Sequence, residues 1–294
     1  MEYHQPVLLD EVIDQLQVEP NKIYVDATLG HGGHTIEILK LGGTVYGFDQ
    51  DLKNLEIATN RIAQLKLDKN FHPIHANFNQ LVKIVKTVIK QNIDGLLVDL
   101  GLSQNQQTAS DRGFSFNDCL SIDMRLDPKK QKLSAENIIN TYSFEQLYDI
   151  FTKYGQEKYS KPIILKIIRE RQKSPIKNGK RLADIARNYY QEHHIKTNID
   201  PSTKIFLSLR IVVNNEFNNL KKILDQSLKV INHGQKACFI SFHSGEDRII
   251  KQFIKSNLVK KTILSASKPI SPSFLEIKTN PLSRSSLLRS YTIY

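Results

Sequence analysis

Three carboxylates in this sequence each follow a short apolar segment, and a glycine-rich loop adjoins the first of them. Asp26 opens the stretch Asp26-Ala-Thr-Leu-Gly-His-Gly-Gly-His34, Asp49 ends the segment 44–49, and Asp99 ends the segment 92–99. Glycines let a backbone turn sharply and approach a ligand closely, and an acid about 20 residues beyond such a loop commonly binds ribose hydroxyls. We therefore expect these residues to converge on a nucleotide-type ligand.

The glycine loop differs from a dinucleotide-binding fingerprint. That fingerprint requires a third glycine where this chain has Thr35. Amides at a helix N-terminus suit a phosphate, and they equally suit the carboxylate of an amino-acid moiety. S-adenosylmethionine matches these features best, with the loop amides facing its methionine carboxylate, Asp49 its ribose and Phe78 its adenine. For the loop alone, a plain tight turn stays open as the alternative.

The pattern of apolar segments predicts the element that would bring these residues together. Strands are predicted at 22–25, 44–49, 71–75 and 92–100, each followed by a helical segment. A strand at 235–242 and an edge hairpin formed by 258–264 and 288–294 complete the prediction. The fold class is α/β, a doubly wound Rossmann-like sheet whose ligand crevice lies at the carboxyl ends of the strands. Asp51 is predicted to cap the helix that follows the second strand.

Residues 104–204 break the alternation of strands and helices. Helices are predicted at 134–140, 143–152, 158–172 and 181–192, with no convincing strand between them. We therefore predict that 1–103 and 205–294 form one domain and that 104–204 is an inserted helical domain.

The charge balance favours a polyanionic partner. Lys and Arg number 41 against 30 Asp and Glu, a formal net charge of +11 at pH 7. Such an excess is typical of proteins that bind nucleic acid, although a lysine-rich surface is the alternative. The longest apolar runs are too short to cross a bilayer, and Met1–Pro6 lacks the features of a secretory signal. With only Cys119 and Cys238, a reduced, cytoplasmic location is the expectation.

Much of the excess charge lies in the insertion. Arg112, Arg125 and Arg169 are predicted to contact phosphate, and Phe114, Phe116 and Tyr154 to stack on bases. A solvated helix face over an apolar core is the competing interpretation. The basic residues between 153 and 181 are Lys153, Lys158, Lys161, Lys166, Arg169, Arg171, Lys173, Lys177, Lys180 and Arg181.

Taken together, these motifs closely resemble the bacterial 16S ribosomal RNA cytosine-N4 methyltransferases, over nearly the whole chain. The matching motifs, in chain order, are His4-x-Pro-Val-Leu-Leu, Asp26-Ala-Thr-x-Gly-x-Gly-Gly-His, Asp99-Leu-Gly-x-Ser, Arg112-Gly-Phe-Ser-Phe, Asp123-Met-Arg125, Tyr154-Gly-x-Glu-Lys, Ser241-Phe-His-Ser-x-Glu-Asp-Arg248 and Asn280-Pro-x-x-Arg-Ser-x-x-Leu-Arg289. The chain departs from the family's pattern at Ser103-Gln-Asn-Gln106, where relatives usually read Ser-Ser-Pro-Gln. It also departs at Asp200 and Lys204, where a His and an Arg are usual.

The resemblance implies a class I methyltransferase domain with S-adenosylmethionine as methyl donor. It implies donor contacts at Gly32, Gly33, His34, Asp49, Phe78, Asp99 and Gln106. The implied substrate is the exocyclic amine of a cytosine in the decoding region of small-subunit RNA. The implied partner is therefore 16S ribosomal RNA or the small subunit, and a homodimer is possible.

Asp99 is the predicted catalytic residue. An oxygen that accepts a hydrogen bond from the cytosine amine would polarise it toward attack on the methyl group. Backbone carbonyls beside Asp99 could do the same, in which case Asp99 would serve only the donor. The pairs His31/His34 and His72/His75 lack companion ligands at tetrahedral spacing, so no metal site is predicted. A nicotinamide oxidoreductase and a non-catalytic RNA-binding assembly factor are the alternative functions.

Overall fold

The computed structural model describes residues 5–103, 106 and 111–294. The chain divides into two compact units, one formed by Met1–Ser103 with Phe217–Tyr294 and the other by Gln104–Glu216. The helical unit ends at Glu216, twelve residues after residue 204, where the sequence predicted that it would end. The helix Thr203–Val213 explains the difference, because it packs against Phe144–Lys153 and so belongs to the helical unit.

The first unit contains a seven-stranded sheet. Its strands are β1 Ile23–Asp26, β2 Thr44–Asp49, β3 Phe71–His75, β4 Ile93–Asp99, β5 Ile231–Ser241, β6 Ile263–Ala266 and β7 Leu287–Ile293. They are ordered β3-β2-β1-β4-β5-β7-β6, with β7 antiparallel to both of its neighbours and the first five strands parallel. The sequence-based prediction of a doubly wound α/β sheet with an edge hairpin is confirmed.

Helices flank the sheet and form the second unit. They are α1 Leu9–Leu16, α2 Gly33–Lys40, α3 Leu52–Gln64, α4 Leu81–Ile84 (continued by a π-helical turn, Val85–Ile89), α5 Ala135–Thr141, α6 Phe144–Lys153, α7 Ser160–Lys173, α8 Gly179–Glu192, α9 Thr203–Val213, α10 Glu216–Val230, α11 Ser244–Val259 and α12 Phe274–Thr279. The predicted strand 258–264 begins only at Ile263, because the residues before it complete α11 and its terminal turn. None of the helices in the described ranges is long and apolar enough to span a membrane.

Burial on both faces fixes the middle of the sheet. All residues of β4 from Ile93 to Val98 are buried, and apolar clusters lie on both sides of the sheet. A parallel strand covered by helices on both faces requires this continuous apolar sequence. Asp26 pairs with Gly47 of β2 and Leu97 of β4, while Asp99 pairs with Ile240 of β5. The carboxyl ends of β1, β2, β4 and β5 therefore lie along one edge of the sheet.

The helical unit has its own apolar core, built around residues such as Ile163, Ile164 and Ile167 of α7. Ser134 and Ser143 begin α5 and α6 with reciprocal capping boxes, in which each serine side chain accepts from the third helical amide. Helices are found at the four predicted positions of this segment, and each begins within two residues of its predicted start.

We predict that Asp94, near the amino end of β4, stabilises the sheet at the amino ends of its strands. Its carboxylate accepts hydrogen bonds from Ile23 N–H (2.9 Å) and Asn232 Nδ2 (3.0 Å) and lies 3.8 Å from Lys22 Nζ. Asp94→Ala should lower the free energy of unfolding by about 1–3 kcal/mol, because a buried N–H loses its acceptor. Lys22→Ala should cost less than about 1 kcal/mol, since the Lys22 side chain is 43% exposed and solvent screens its charge. Urea denaturation measures both; equal losses would contradict this assignment.

Candidate active site

Asp49 ties together the loops that follow β1 and β2. One carboxylate oxygen accepts from Gly30 N–H (3.0 Å) and Asn54 Nδ2 (2.9 Å), and the other accepts from Asp51 N–H (2.8 Å). Burial raises the pKa of Asp49 to about 7, although these three hydrogen bonds oppose the shift. A carboxylate has about four lone-pair positions, so one acceptor position remains for a hydroxyl group.

The three glycines of the loop have different structural roles. Gly30 has φ +52°, and a Cβ there would have only Thr28 O within 4 Å, so its outer surface is open to a ligand. Gly32 has φ +75° and packs against Ala58 of α3. A Cβ at Gly33 would lie 2.3 Å from Pro6 Cγ, so this glycine lets the N-terminal segment approach α2. Gly32 precedes α2 without any side-chain cap, which leaves the amides of the first turn for a ligand.

Asp26 and His34 are buried behind the loop. Asp26 accepts from Thr35 Oγ1 (2.8 Å) and Thr28 N–H (3.2 Å), and burial raises its pKa. His34 Nε2 donates to the carbonyl oxygen of Val7 (3.0 Å), and burial lowers the pKa of its imidazole. The side chain of His34 is thus engaged with the N-terminal segment, so only its backbone amide is available at the α2 terminus.

Asp99 lies at the same edge, where β4 adjoins β5. Its N–H donates to Thr28 Oγ1 (2.6 Å), and its carboxylate accepts from Gly101 N–H (3.1 Å). Burial and, to a smaller extent, the negative charge of the buried Glu246 raise the pKa of Asp99 to about 6, although the hydrogen bond from Gly101 opposes the shift. This carboxyl group is therefore poised to exchange a proton near neutral pH.

The remaining predicted site residues are Phe78 and Gln106. Phe78 follows β3, at the same edge of the sheet as Asp49, and packs half-buried against the core. Gln106 belongs to the second unit, and its contact with the donor stays a prediction.

The histidines of the 72/75 pair, and His243 in the motif that begins at Ser241, form contacts within the structure. His75 Nε2 donates to Gln50 O (3.0 Å), and His72 stacks on Tyr46 with ring centroids 4.5 Å apart. His243 Nδ1 accepts from the Gly245 amide (3.2 Å), so this histidine caps α11.

Two residues that position the site were missed from the sequence. Asn54 donates to Asp49 and accepts from Ser103 Oγ (3.0 Å), which links the loops after β2 and β4. Thr28 joins the loop after β1 to Asp99. The sequence does contain a sign of the role of Asn54, because it is a polar residue on the face of α3 that otherwise carries Leu55 and Ala58. No local pattern distinguished Thr28.

The helical unit contains a groove of about 900 Å³ between α7 and α8. Five cationic and three acidic side chains line it, so the groove carries an excess of positive charge. These are Lys166, Arg169, Lys173, Lys180 and Arg181, with Glu170, Asp184 and Glu192. Among the described residues, no ion pair involves the exposed side chains of Arg169 or Lys180, whereas Lys166 pairs with Glu192 and Lys173 with Glu170.

Several arginines of the basic set predicted to contact RNA form hydrogen bonds within the helical unit. Arg171 donates to the Ile139 carbonyl (2.7 Å) near the end of α5, and burial lowers its pKa. Arg181 donates to the carbonyls of Glu170 (3.1 Å) and Pro175 (3.0 Å) at the end of α7. Arg112 donates to the carbonyls of Arg125 (3.1 Å) and Leu126 (3.3 Å).

Two further groups predicted to contact RNA are also engaged within the helical unit. Arg125 forms a two-pronged ion pair with Asp123, at 2.6 and 2.7 Å. The predicted stacking residues Phe114, Phe116 and Tyr154 are partly buried against the helical core, and Phe116 meets Phe206 edge-on.

Comparison with known proteins identifies the family of this chain. Residues 1–293 match the model of the MraW methylase family. Proteins named ribosomal RNA small subunit methyltransferase H are similar: that of Hydrogenobaculum sp. is 40% identical, covering 97% of this chain and 94% of its own. That of Halothermothrix orenii is 37% identical, covering 97% of both.

A solved structure from Clostridium thermocellum, provisionally assigned as an rRNA methylase, shares the fold. Its TM-score is 0.50 at 12% identity, with 98% of each chain covered. At that identity the likeness concerns the fold alone. The motifs, the order of the strands and the end-to-end match agree: the chain belongs to the MraW methylase family.

Proposed function

We propose that this protein transfers a methyl group from S-adenosylmethionine to the exocyclic N4 amine of a cytosine in the decoding region of small-subunit ribosomal RNA. The observation that carries the proposal is the meeting of Gly30, Asp49 and Asp99 at one sheet edge, in a chain of a methylase family. Family membership favours catalysis over a non-catalytic assembly factor, and Thr35 in the third-glycine place disfavours a nicotinamide enzyme.

The residues at the sheet edge fit the proposed donor. The uncapped first turn of α2, at Gly33 and His34, offers amides to a carboxylate. Asp49 retains an acceptor position for a ribose hydroxyl, and the open surface at Gly30 allows close approach. Phe78 offers a ring near the end of β3 for the adenine, and Gln106 is proposed as a further donor contact. When bound, the donor supplies an activated methyl group on a sulfonium.

Asp99 would act on the acceptor amine. Its carboxylate, with a pKa of about 6, is largely ionised at neutral pH and can accept a hydrogen bond from the amine. As the N4–methyl bond forms and the C–S bond breaks, the surplus proton of N4 passes to this carboxylate or to water. Thr28 and Gly101 hold Asp99 at the end of β4 and so fix the direction of its oxygens.

The RNA substrate accounts for the basic groove. Arg169 and Lys180 offer exposed charges to phosphate, and the groove between α7 and α8 is large enough for a nucleotide chain. The small subunit is the proposed partner and a reduced cytoplasm the proposed location. A homodimer is a further proposal, which light scattering after size-exclusion chromatography measures directly.

The proposed reaction is tested with undermethylated small-subunit RNA and purified protein. Mass mapping should detect one added methyl group on a cytosine of the decoding region. Single-turnover methylation by Asp99→Asn, with the donor saturating, should be slower by at least about 100-fold, since a general base commonly contributes that much. Methylation of RNA elsewhere, or none, would refute the reaction. Full activity of Asp99→Asn would leave the reaction standing and exclude an essential carboxylate.

Donor affinity should rise with pH through the pKa of Asp49. A ribose hydroxyl donates to the ionised carboxylate, and that form is depleted below the pKa of about 7. The Kd should therefore increase about tenfold per pH unit below pH 7. Calorimetry from pH 5.5 to 7.5 measures it, and Asp49→Asn should be weaker and lose most of this dependence. A flat wild-type profile would contradict the assigned contact.

Neutralising the groove should weaken RNA binding. Arg169→Ala/Lys180→Ala should reduce the slope of log Kd against log salt by about 1 per removed cation. Lys251→Ala/Lys255→Ala, on the exposed side of α11, removes the same charge elsewhere and should change it less. RNA should also protect Cys119, which lines the groove, from alkylation, while Cys238 is buried. Equal slopes for the two double variants would exclude the groove as the RNA-binding surface.

A further inference from the structure

The N-terminal segment Gln5–Leu8 lies directly against the loop and helix assigned to the methyl donor. We refer to these four residues as the strap. Pro6 occupies the space that a side chain at position 33 would need, and the carbonyl of Val7 accepts from His34 Nε2 (3.0 Å). Val7 and Leu8 are both buried. The strap therefore packs against the first turn of α2, whose amides have no side-chain cap.

Residues near the other end of the chain hold the strap in place. Glu276, on α12, accepts a hydrogen bond from Leu8 N–H (2.8 Å). Asn280, which follows α12, donates from Nδ2 to the carbonyl of Gln5 (3.1 Å) and is 2% exposed. These contacts join positions 268 and 275 residues apart, so α12 and the strap form one structure with the glycine loop.

The backbone of Leu8 shows why the strap needs these contacts. Leu8 has φ +54° and ψ +39°, a left-handed conformation that a leucine rarely adopts. A residue held there persists only when its surroundings impose it. Leu8 also begins α1, where its carbonyl accepts from Val12 N–H (2.9 Å). With Glu276 removed, the buried Leu8 N–H would lack its acceptor and the strap would lose its fixed position.

We propose that Glu276 and Asn280 are positioning residues for the methyl donor, acting through the strap on the first turn of α2. This inference rests on the proposed donor site at Gly32–His34. The strap holds the side chain of His34 through the carbonyl of Val7, so the amides of this turn are already ordered when the methionine carboxylate arrives. The expected effect of removing either contact is a loss of donor affinity, and neither residue is assigned a contact with the reacting atoms.

The test compares three variants of α12 in the full-length protein. Glu276→Ala should raise the calorimetric Kd for S-adenosylmethionine about tenfold, with kcat at saturating donor and the Kd for RNA unchanged. Glu276→Gln, which keeps an acceptor oxygen for Leu8 N–H, should recover most of the affinity. Lys278→Ala removes an exposed side chain from the same helix and should match the wild type.

Hydrogen exchange provides a second readout of the same mechanism. The amides of Val7 and Leu8 should exchange more slowly when the donor is bound, and faster in Glu276→Ala than in Lys278→Ala. A Glu276→Ala protein with wild-type donor affinity, even if its urea midpoint falls, would overturn the proposal and leave the donor site standing. If Asp49→Asn also binds donor as the wild type does, the donor site itself is misplaced.

Discussion

The hydrogen bonds to the Asp49 carboxylate determine the arrangement of the candidate site. This one group connects the left-handed Gly30 to Asp51 at the start of α3 and to Asn54 within it. Burial makes the ionised form costly, and three donors compensate only in part, so its pKa lies near 7. Asp49 is half-buried, and a hydroxyl group that donated to it would offset more of the cost of its ionised form.

Asp99 lies at the end of β4, two strands away from β2 in the sheet. One of its carboxylate oxygens accepts from the Gly101 amide, and burial together with the negative charge of Glu246 raises its pKa. Glu246 accepts a hydrogen bond from Phe242 N–H (2.9 Å), and its Oε1 lies 3.2 Å from His243 Nε2. The turn after β5 therefore fixes the position of the Glu246 carboxylate. Asp49 and Asp99 therefore both have a raised pKa, about 7 and about 6, because burial disfavours the charged form.

The family motifs at the two ends of the chain contact each other beside the glycine loop. The N-terminal motif supplies Pro6 and Val7 to the strap, and the C-terminal motif supplies Asn280, which holds it. In the same C-terminal motif, Arg289 forms an ion pair with Asp247 at the start of α11 (2.6 Å). Side chains from both ends of the chain thus contribute to the surroundings of the first turn of α2.

The sequence by itself determined the order of the strands' apolar segments, the helical character of the insertion and the identity of the acids at the strand ends. These follow from periodicity and from short motifs, which are local properties. It also determined Asp51 as a helix cap, and the structure confirms this, with Lys53 N–H donating to its carboxylate (3.1 Å).

Only the tertiary structure decided which polar groups already have partners. The basic residues 153–181 look equivalent in sequence, yet Arg171 and Arg181 complete helix ends while Arg169 and Lys180 are exposed. Gly33 reads as a ligand-binding glycine, but Pro6 requires its lack of a side chain. The contacts responsible join residues far apart in the chain, such as Leu8 and Glu276, and neither periodicity nor spacing records which distant groups meet.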